Sequence, residues 1–219
     1  MNAGNPQKRE VARLREARID RAIHLAALAA AAIGCAALIP ISALRLGPAG
    51  FTGVILYVIG LFAMLTCSAL YNGRRTSPRR HIFQRLDHAA IFLLIAGTYS
   101  AFLGGAIDDP SIALLLSAVW AIALAGLAVT LLAPKTMRRV AIGLYLALGW
   151  SIVAAIGPVL ERLPVTVLVL IVIGGVLYSA GVIFHVLERL RYQNAIWHGF
   201  VVAAASCHFA AVVSNLPVA

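Results

Sequence analysis

Charged residues divide this chain into seven long uncharged runs, 22–44, 46–73, 88–107, 110–134, 140–160, 163–187 and 192–219, and no other feature constrains the fold as much. A helix rises about 1.5 Å per residue, so roughly 20 residues cross a hydrocarbon core about 30 Å thick. Every run is at least that long, and the predicted spans lie near 22–43, 50–71, 87–106, 111–133, 140–158, 164–186 and 195–216. The runs are unbroken apolar stretches rather than short segments of alternating polarity, which selects helices over a barrel. A water-soluble chain of 219 residues would rarely be 62% hydrophobic and 12% charged, because its surface needs charge. The expected fold is an all-α membrane protein, a seven-transmembrane helix bundle.

The net charge of +10 is explained by topology, with no nucleic acid required. Lys8, Arg9, Arg13, Arg15, Arg18 and Arg21 precede span one. Arg74, Arg75, Arg79, Arg80 and Arg85 lie between spans two and three, Lys135, Arg138 and Arg139 follow span four, and Arg189 and Arg191 follow span six. Sixteen of the 18 basic residues thus share one side, with Arg45 and Arg162 opposite. By the positive-inside rule the rich side is cytoplasmic, which puts the N-terminus in the cytoplasm and the C-terminus outside. Segment 74–85 reads as a solvated loop, with contact to anionic headgroups as the alternative.

Residues 1–21 form a basic cytoplasmic leader before a single domain, 22–219, and span one is too long and uninterrupted for a cleaved signal. Ser77-Pro78 predicts a turn between spans two and three. Gly97, Gly126, Gly143 and Gly175 are expected to let helices approach closely. Cys35, Cys67 and Cys207 lie inside spans without a CxxC pair, so they read as packing residues rather than a disulfide or thiolate site. The excess of Arg over Lys and the abundance of Ala point to a GC-rich bacterial genome, hence a bacterial plasma (inner) membrane.

Polar groups within spans are costly unless paired, so they locate any site. Ser68 and Asn72 lie one turn apart at the end of span two, Asp87 begins span three, and Asn194 and His198 lie one turn apart at the start of span seven. All five fall at one membrane level and are expected to converge, either as a functional pocket or as a hydrogen-bonded network tying the three spans together. Glu16, Asp20 and His24 recur every four residues, so they share a helix face at the same level. That face either extends the cluster or is solvated and paired with Arg13 and Arg18. His88, His185 and His208 read as bundle residues.

Leu86-Asp87-His88-Ala89-Ala90-Ile91 running into Ile95-Ala96-Gly97-Thr98-Tyr99, and Ala195-Ile196-Trp197-His198-Gly199-Phe200-Val201 running on to His208-Phe209, resemble the bacterial hemolysin III proteins, relatives of the progestin and adipoQ (adiponectin) receptors. Tyr145 to Trp150 and Ser68 to Tyr71 add weaker support. The resemblance implies seven helices and an intramembrane zinc site made by Ser-x3-His ending helix two, an Asp at the start of helix three and His-x3-His on helix seven. Ser68, Asp87 and His198 match that pattern; Asn72 and Asn194 stand at two of the three His ligand positions.

Zinc favours imidazole and thiolate over a neutral amide oxygen, so the sequence predicts a protein that holds little zinc and carries no cofactor, a degenerate zinc site. Asn72→His with Asn194→His is the change expected to restore three ligands. The favoured function is a metal-poor, non-catalytic, lipid-binding or membrane-state-sensing protein. The alternatives are a zinc-dependent intramembrane hydrolase of a lipid amide or ester, with His198 as ligand, Asp87 orienting water and Ser68 assisting, and a pore-forming or haemolytic protein. The partners are membrane lipids.

Overall fold

The computed structural model describes residues 6–74, 76–187 and 190–217; side chains at 6, 8, 9, 13 and 134–139 fall outside that description. Arg75 and Arg189, and the side chains of Lys8, Arg9, Arg13, Lys135, Arg138 and Arg139, therefore lie outside the described residues, as does the start of the basic leader. The described chain is helical and contains no strand. Its elements are α1 (Pro6–Arg45), α2 (Pro48–Gly73), α3 (Arg80–Leu103), α4 (Pro110–Leu132), α5 (Pro134–Gly149), α6 (Ile156–Arg162), α7 (Val165–Val186) and α8 (Gln193–Ser214). Seven segments are long and apolar enough to cross a membrane, the fifth being Val140–Arg162, formed by α5, a 3-10 turn and α6 in series.

Leu44, Leu132, Val165 and Ile33 are all at least 75% exposed on the outside of the bundle. Lipid tails solvate such a surface at no cost, whereas water does not. Inside, α2 and α3 pack backbone to backbone. A Cβ on Gly97 would stand 2.6 Å from the Leu56 carbonyl oxygen, one on Gly60 2.8 Å from that of Leu93, and one on Gly53 would collide with the Ser100 carbonyl. Gly126 receives the Phe92 ring and Gly175 faces the Trp150 ring. Gly143 differs from expectation: among the described residues nothing lies within 4 Å of its Cβ position, so it brings no helices together.

One sequence boundary shifts. α3 starts at Arg80 rather than near 87, because the turn at Ser77-Pro78 feeds directly into helix, with the Arg80 amide donating to the Ser77 carbonyl at 3.0 Å. Asp87 consequently lies a second turn into α3. Arg80 returns to stack on the Tyr71 ring, 4.6 Å from its centroid, and Arg74 lies over Phe83.

The fifth span is interrupted rather than continuous. Where α5 stops at Gly149, the Tyr99 hydroxyl from α3 lies 3.0 Å and 2.9 Å from the Leu148 and Gly149 carbonyl oxygens and accepts the Ile152 amide at 2.7 Å. Broken helix is tolerated at membrane depth only where protein groups satisfy the freed backbone, and Tyr99 does so here.

Candidate functional site

Asp20 and His24, four residues apart on α1, begin a buried polar centre. His24 Nδ1 lies 2.8 Å from the Asp20 carbonyl oxygen. A carbonyl can only accept, so Nδ1 carries the proton and donates. The Nε2 lone pair of the neutral ring then faces Ser68 Oγ of α2, at 3.1 Å. His198 of α8 repeats the pattern: its Nδ1 lies 2.5 Å from Asp20 Oδ1, an acceptor, and its Nε2 lies 3.4 Å from the same Ser68 Oγ. Asp87 of α3 faces the same Ser68 side chain. The two imidazoles meet edge to face, with ring centroids 4.4 Å apart.

Four helices thus converge on one hydroxyl. Asp20, His24, Ser68 and His198 are each no more than 7% exposed, so their polar atoms rely on one another, and a buried charge among them needs its partner.

The structure places Ser68, Asp87 and His198 in this group. Asn72, one turn along α2, donates its amide to the Ser68 carbonyl at 3.1 Å. Asn194 meets α1 through its backbone amide, which donates to Glu16 Oε1 at 3.2 Å. Asp20 and His24 were visible in the sequence only as a face of unknown direction. Glu16, Asp20 and His24 turn that face toward α8 and α2, contacting Asn194, His198 and Ser68 in turn. His88, His185 and His208 serve elsewhere: Tyr145 donates to the His88 carbonyl, Gln193 to the His185 carbonyl, and His208 packs against Tyr178 and Phe102.

The opposite ends of α2, α3 and α8 border a half-open cavity of about 300 Å³, lined by Val54, Ala101, Phe102, Ala106, Leu163 and Val212, with Arg162 also in its wall. Leu46, on its α1 side, is 22 residues past His24, about 33 Å along the helix axis. Arg162 is paired there with Asp109 at 2.9 Å, and Arg45 donates to the Pro217 carbonyl. The basic residues Arg74, Arg79, Arg80 and Arg85 lie at the other end, between α2 and α3 or on the first turns of α3.

Seven membrane-length helical segments among the described residues, with α1, α2, α3 and α8 meeting at a buried histidine, aspartate and serine centre, define a multi-pass membrane protein with an internal polar site. The chain belongs to the hemolysin III family: the family described as Haemolysin-III related matches residues 13–209. It is 34% identical to Hemolysin-3 of Bacillus cereus over 157 residues, 72% of each chain. It is 30% identical to the Hemolysin-3 homolog of Bacillus subtilis (strain 168) over 158 residues, 72% of this chain and 74% of the relative. A more distant likeness, 25% over 163 residues, covering 72% of this chain and 67% of the other, links it to the Monocyte to macrophage differentiation factor of Homo sapiens. No solved structure matches the chain.

The three-histidine set that the resemblance implies is absent, because positions 72 and 194 carry amides. The centre holds a second imidazole all the same, supplied by α1 instead of α2 or α8.

Proposed function

We propose that the chain is a non-catalytic, lipid-binding member of its family that senses the state of a bacterial plasma membrane, with the N-terminus cytoplasmic and the C-terminus outside. The observation that carries this reading is the half-open cavity of about 300 Å³, part polar and part apolar, at the end of the bundle opposite the buried centre. Its volume falls within the usual range for small-ligand sites, and its walls of Val54, Phe102, Leu163 and Val212 suit an acyl chain. Helices α2, α3 and α8 line the cavity at one end and reach the centre at the other, so an occupant that moved them would be felt at both. A ligand shifts such an equilibrium only by its differential affinity for the two arrangements.

The test is native mass spectrometry and thermal shift with defined phospholipids, comparing the protein with Ala106→Phe, which fills the cavity. Bound lipid that raises the melting temperature in the unmodified protein and is lost in the variant is the expected result. Equal retention of lipid by both would remove this reading. For topology, a reporter fused after Ala219 should be periplasmic.

A second reading, hydrolysis of a lipid ester or amide, is favoured by one observation: a serine hydroxyl flanked by two imidazoles and a carboxylate. His198 would then be a metal ligand, with Asp87 and Ser68 positioning water. A divalent ion bound there supplies Lewis acidity toward a carbonyl. Release of fatty acid from a panel of lipids, lost in His198→Gln, checks it. A pore is disfavoured because Leu38, Tyr57, Leu61 and Phe92 fill the interior with apolar bulk; ion flux in liposomes tests it.

A further inference from the structure

Sixteen of the 18 basic residues share one side of the spans, and the two exceptions, Arg45 and Arg162, both stand at the cavity. Arg162 is in its wall, and its side chain is 44% exposed, so the guanidinium stands at the rim. Arg45 ends α1 and donates to the carbonyl of Pro217, which lines the same cavity. Neither cation is fully used. A guanidinium carries five N–H donors. Among the described residues Arg162 gives one hydrogen bond, to Asp109 Oδ2 at 2.9 Å, and Arg45 gives one, to the carbonyl at 3.0 Å, with no carboxylate within ion-pair reach. Arginines that merely snorkel to the membrane surface are common at helix ends, but that accounts for their depth and not for their sharing one cavity. Below them the walls are Val54, Phe102, Leu163 and Val212. Free guanidinium donors at the rim and apolar walls beneath match a molecule with an anionic oxygen head and a hydrocarbon tail.

We propose that the cavity takes an acyl chain of a phospholipid from the leaflet at that end of the bundle, with the lipid phosphate held at the rim by Arg162 and Arg45. The inference rests on the lipid-binding reading and adds the headgroup chemistry to it. Arginine suits this role because its planar fork meets two phosphate oxygens at once, by charge-assisted hydrogen bonds about twice as strong as neutral ones. Asp109 is the competitor built into the site: its carboxylate already meets Arg162, in a partly exposed ion pair of the kind that contributes little. A phosphate that reaches Arg162 therefore displaces a weak partner, and removing the Asp109 charge should strengthen binding. Arg79, Arg80 and Arg85, at the other end of the bundle, offer charge to a headgroup without a comparable cavity beside them among the described residues.

The test measures the bound fraction of dioleoylphosphatidylglycerol and of dioleoylglycerol, which has the same chains and no phosphate, by native mass spectrometry of the full-length protein in a neutral detergent. The phospholipid should bind about tenfold more tightly in the unmodified chain, and added salt should shrink that margin. Arg162→Gln should remove most of the margin and Arg45→Gln a smaller part, while dioleoylglycerol binding stays as it was. Asp109→Asn should tighten the phospholipid severalfold, a gain that misfolding cannot mimic. Arg79→Gln with Arg80→Gln should change nothing. Equal binding of the two lipids by the unmodified protein would overturn the headgroup assignment and leave the lipid reading standing. So would a margin that survives Arg162→Gln with Arg45→Gln, or one that is lost in Arg79→Gln with Arg80→Gln. Inorganic phosphate that raises the melting temperature as much as the phospholipid does would show an anion site without a lipid. Neither lipid retained, or both retained equally by Ala106→Phe, would remove the lipid reading and this inference with it.

Discussion

Two hydrogen-bonded groups sit inside this apolar bundle, one around Tyr99 and one around Ser68, and they balance their protons differently. At Tyr99 a single phenol meets backbone: the Ile152 amide donates to it, and it faces the carbonyls left open where α5 ends. Ser151 adds a hydroxyl 3.1 Å away that also lies 2.8 Å from the Leu148 carbonyl. Donors and acceptors are matched there, so the group splices a broken helix and needs nothing further. At Ser68 the partners are ionisable side chains on other helices, His24, His198 and Asp87, so the cluster itself sets which group holds each proton. The first group splices one broken span, whereas the second ties separate helices together. Ionisable groups inside a membrane protein of the second kind mark a candidate site.

The largest effect expected from breaking this contrast is at Asp20. Asp20→Ala strips the carboxylate that accepts the His198 N–H while leaving the backbone carbonyl that holds His24, and a buried hydrogen bond to a charged group is worth about 1.5–3 kcal/mol. A fall in unfolding free energy of that order in detergent is the expected outcome; a change under about 1 kcal/mol would show that the pair carries little. Tyr99→Phe comes next. It leaves the Ile152 amide unsatisfied, at about 1–3 kcal/mol, and it should leave the contacts around Ser68 untouched, which separates the two groups. Ser68→Ala should be milder than either, about 1 kcal/mol, because it removes a hydroxyl from a centre already rich in acceptors. If Ser68→Ala proved more damaging than Asp20→Ala, the hydroxyl and not the aspartate would organise the centre.

The seven spans were legible in the sequence because lipid imposes a length and an absence of charge that no tertiary contact can override. The break in the fifth span was not legible: residues 140–160 carry no charge, and the interruption is made tolerable by Tyr99, some 50 positions away. Gly97 and Gly143 look alike in the sequence, yet only Gly97 meets a neighbouring backbone. The face bearing Glu16, Asp20 and His24 was readable from its four-residue spacing. Its direction was not, since that depends on α8 packing beside α1, where His198 stands 178 residues from Asp20. Asn72 and Asn194 were correctly seen as departures from a ligand pattern, but a chain-order motif could not show that α1 brings an imidazole to the same place.

The smallest expected effect lies outside the membrane-spanning segments, at Asp109. Its Oδ1 caps α4 by accepting the Ser111 amide at 2.9 Å, and its Oδ2 meets Arg162 at 2.9 Å beside the cavity. The Arg162 side chain, then the cap amides, hold the Asp109 carboxyl below its ordinary value. A depressed acid adds stability that is present above its ordinary, unfolded-state value and is lost as pH falls through the folded one. Melting temperature in detergent should therefore dip slightly as acid protonates Asp109. Asp109→Asn, which keeps an oxygen for the cap and discards the charge, should lower the melting temperature near neutrality and flatten that dip. The pair is solvent-facing, so salt should shrink the difference between the two proteins. The centre at the other end, closed to water, should not respond to salt. An Asp109→Asn protein whose acid dip is as deep as that of the unmodified chain would assign the dip to other carboxylates.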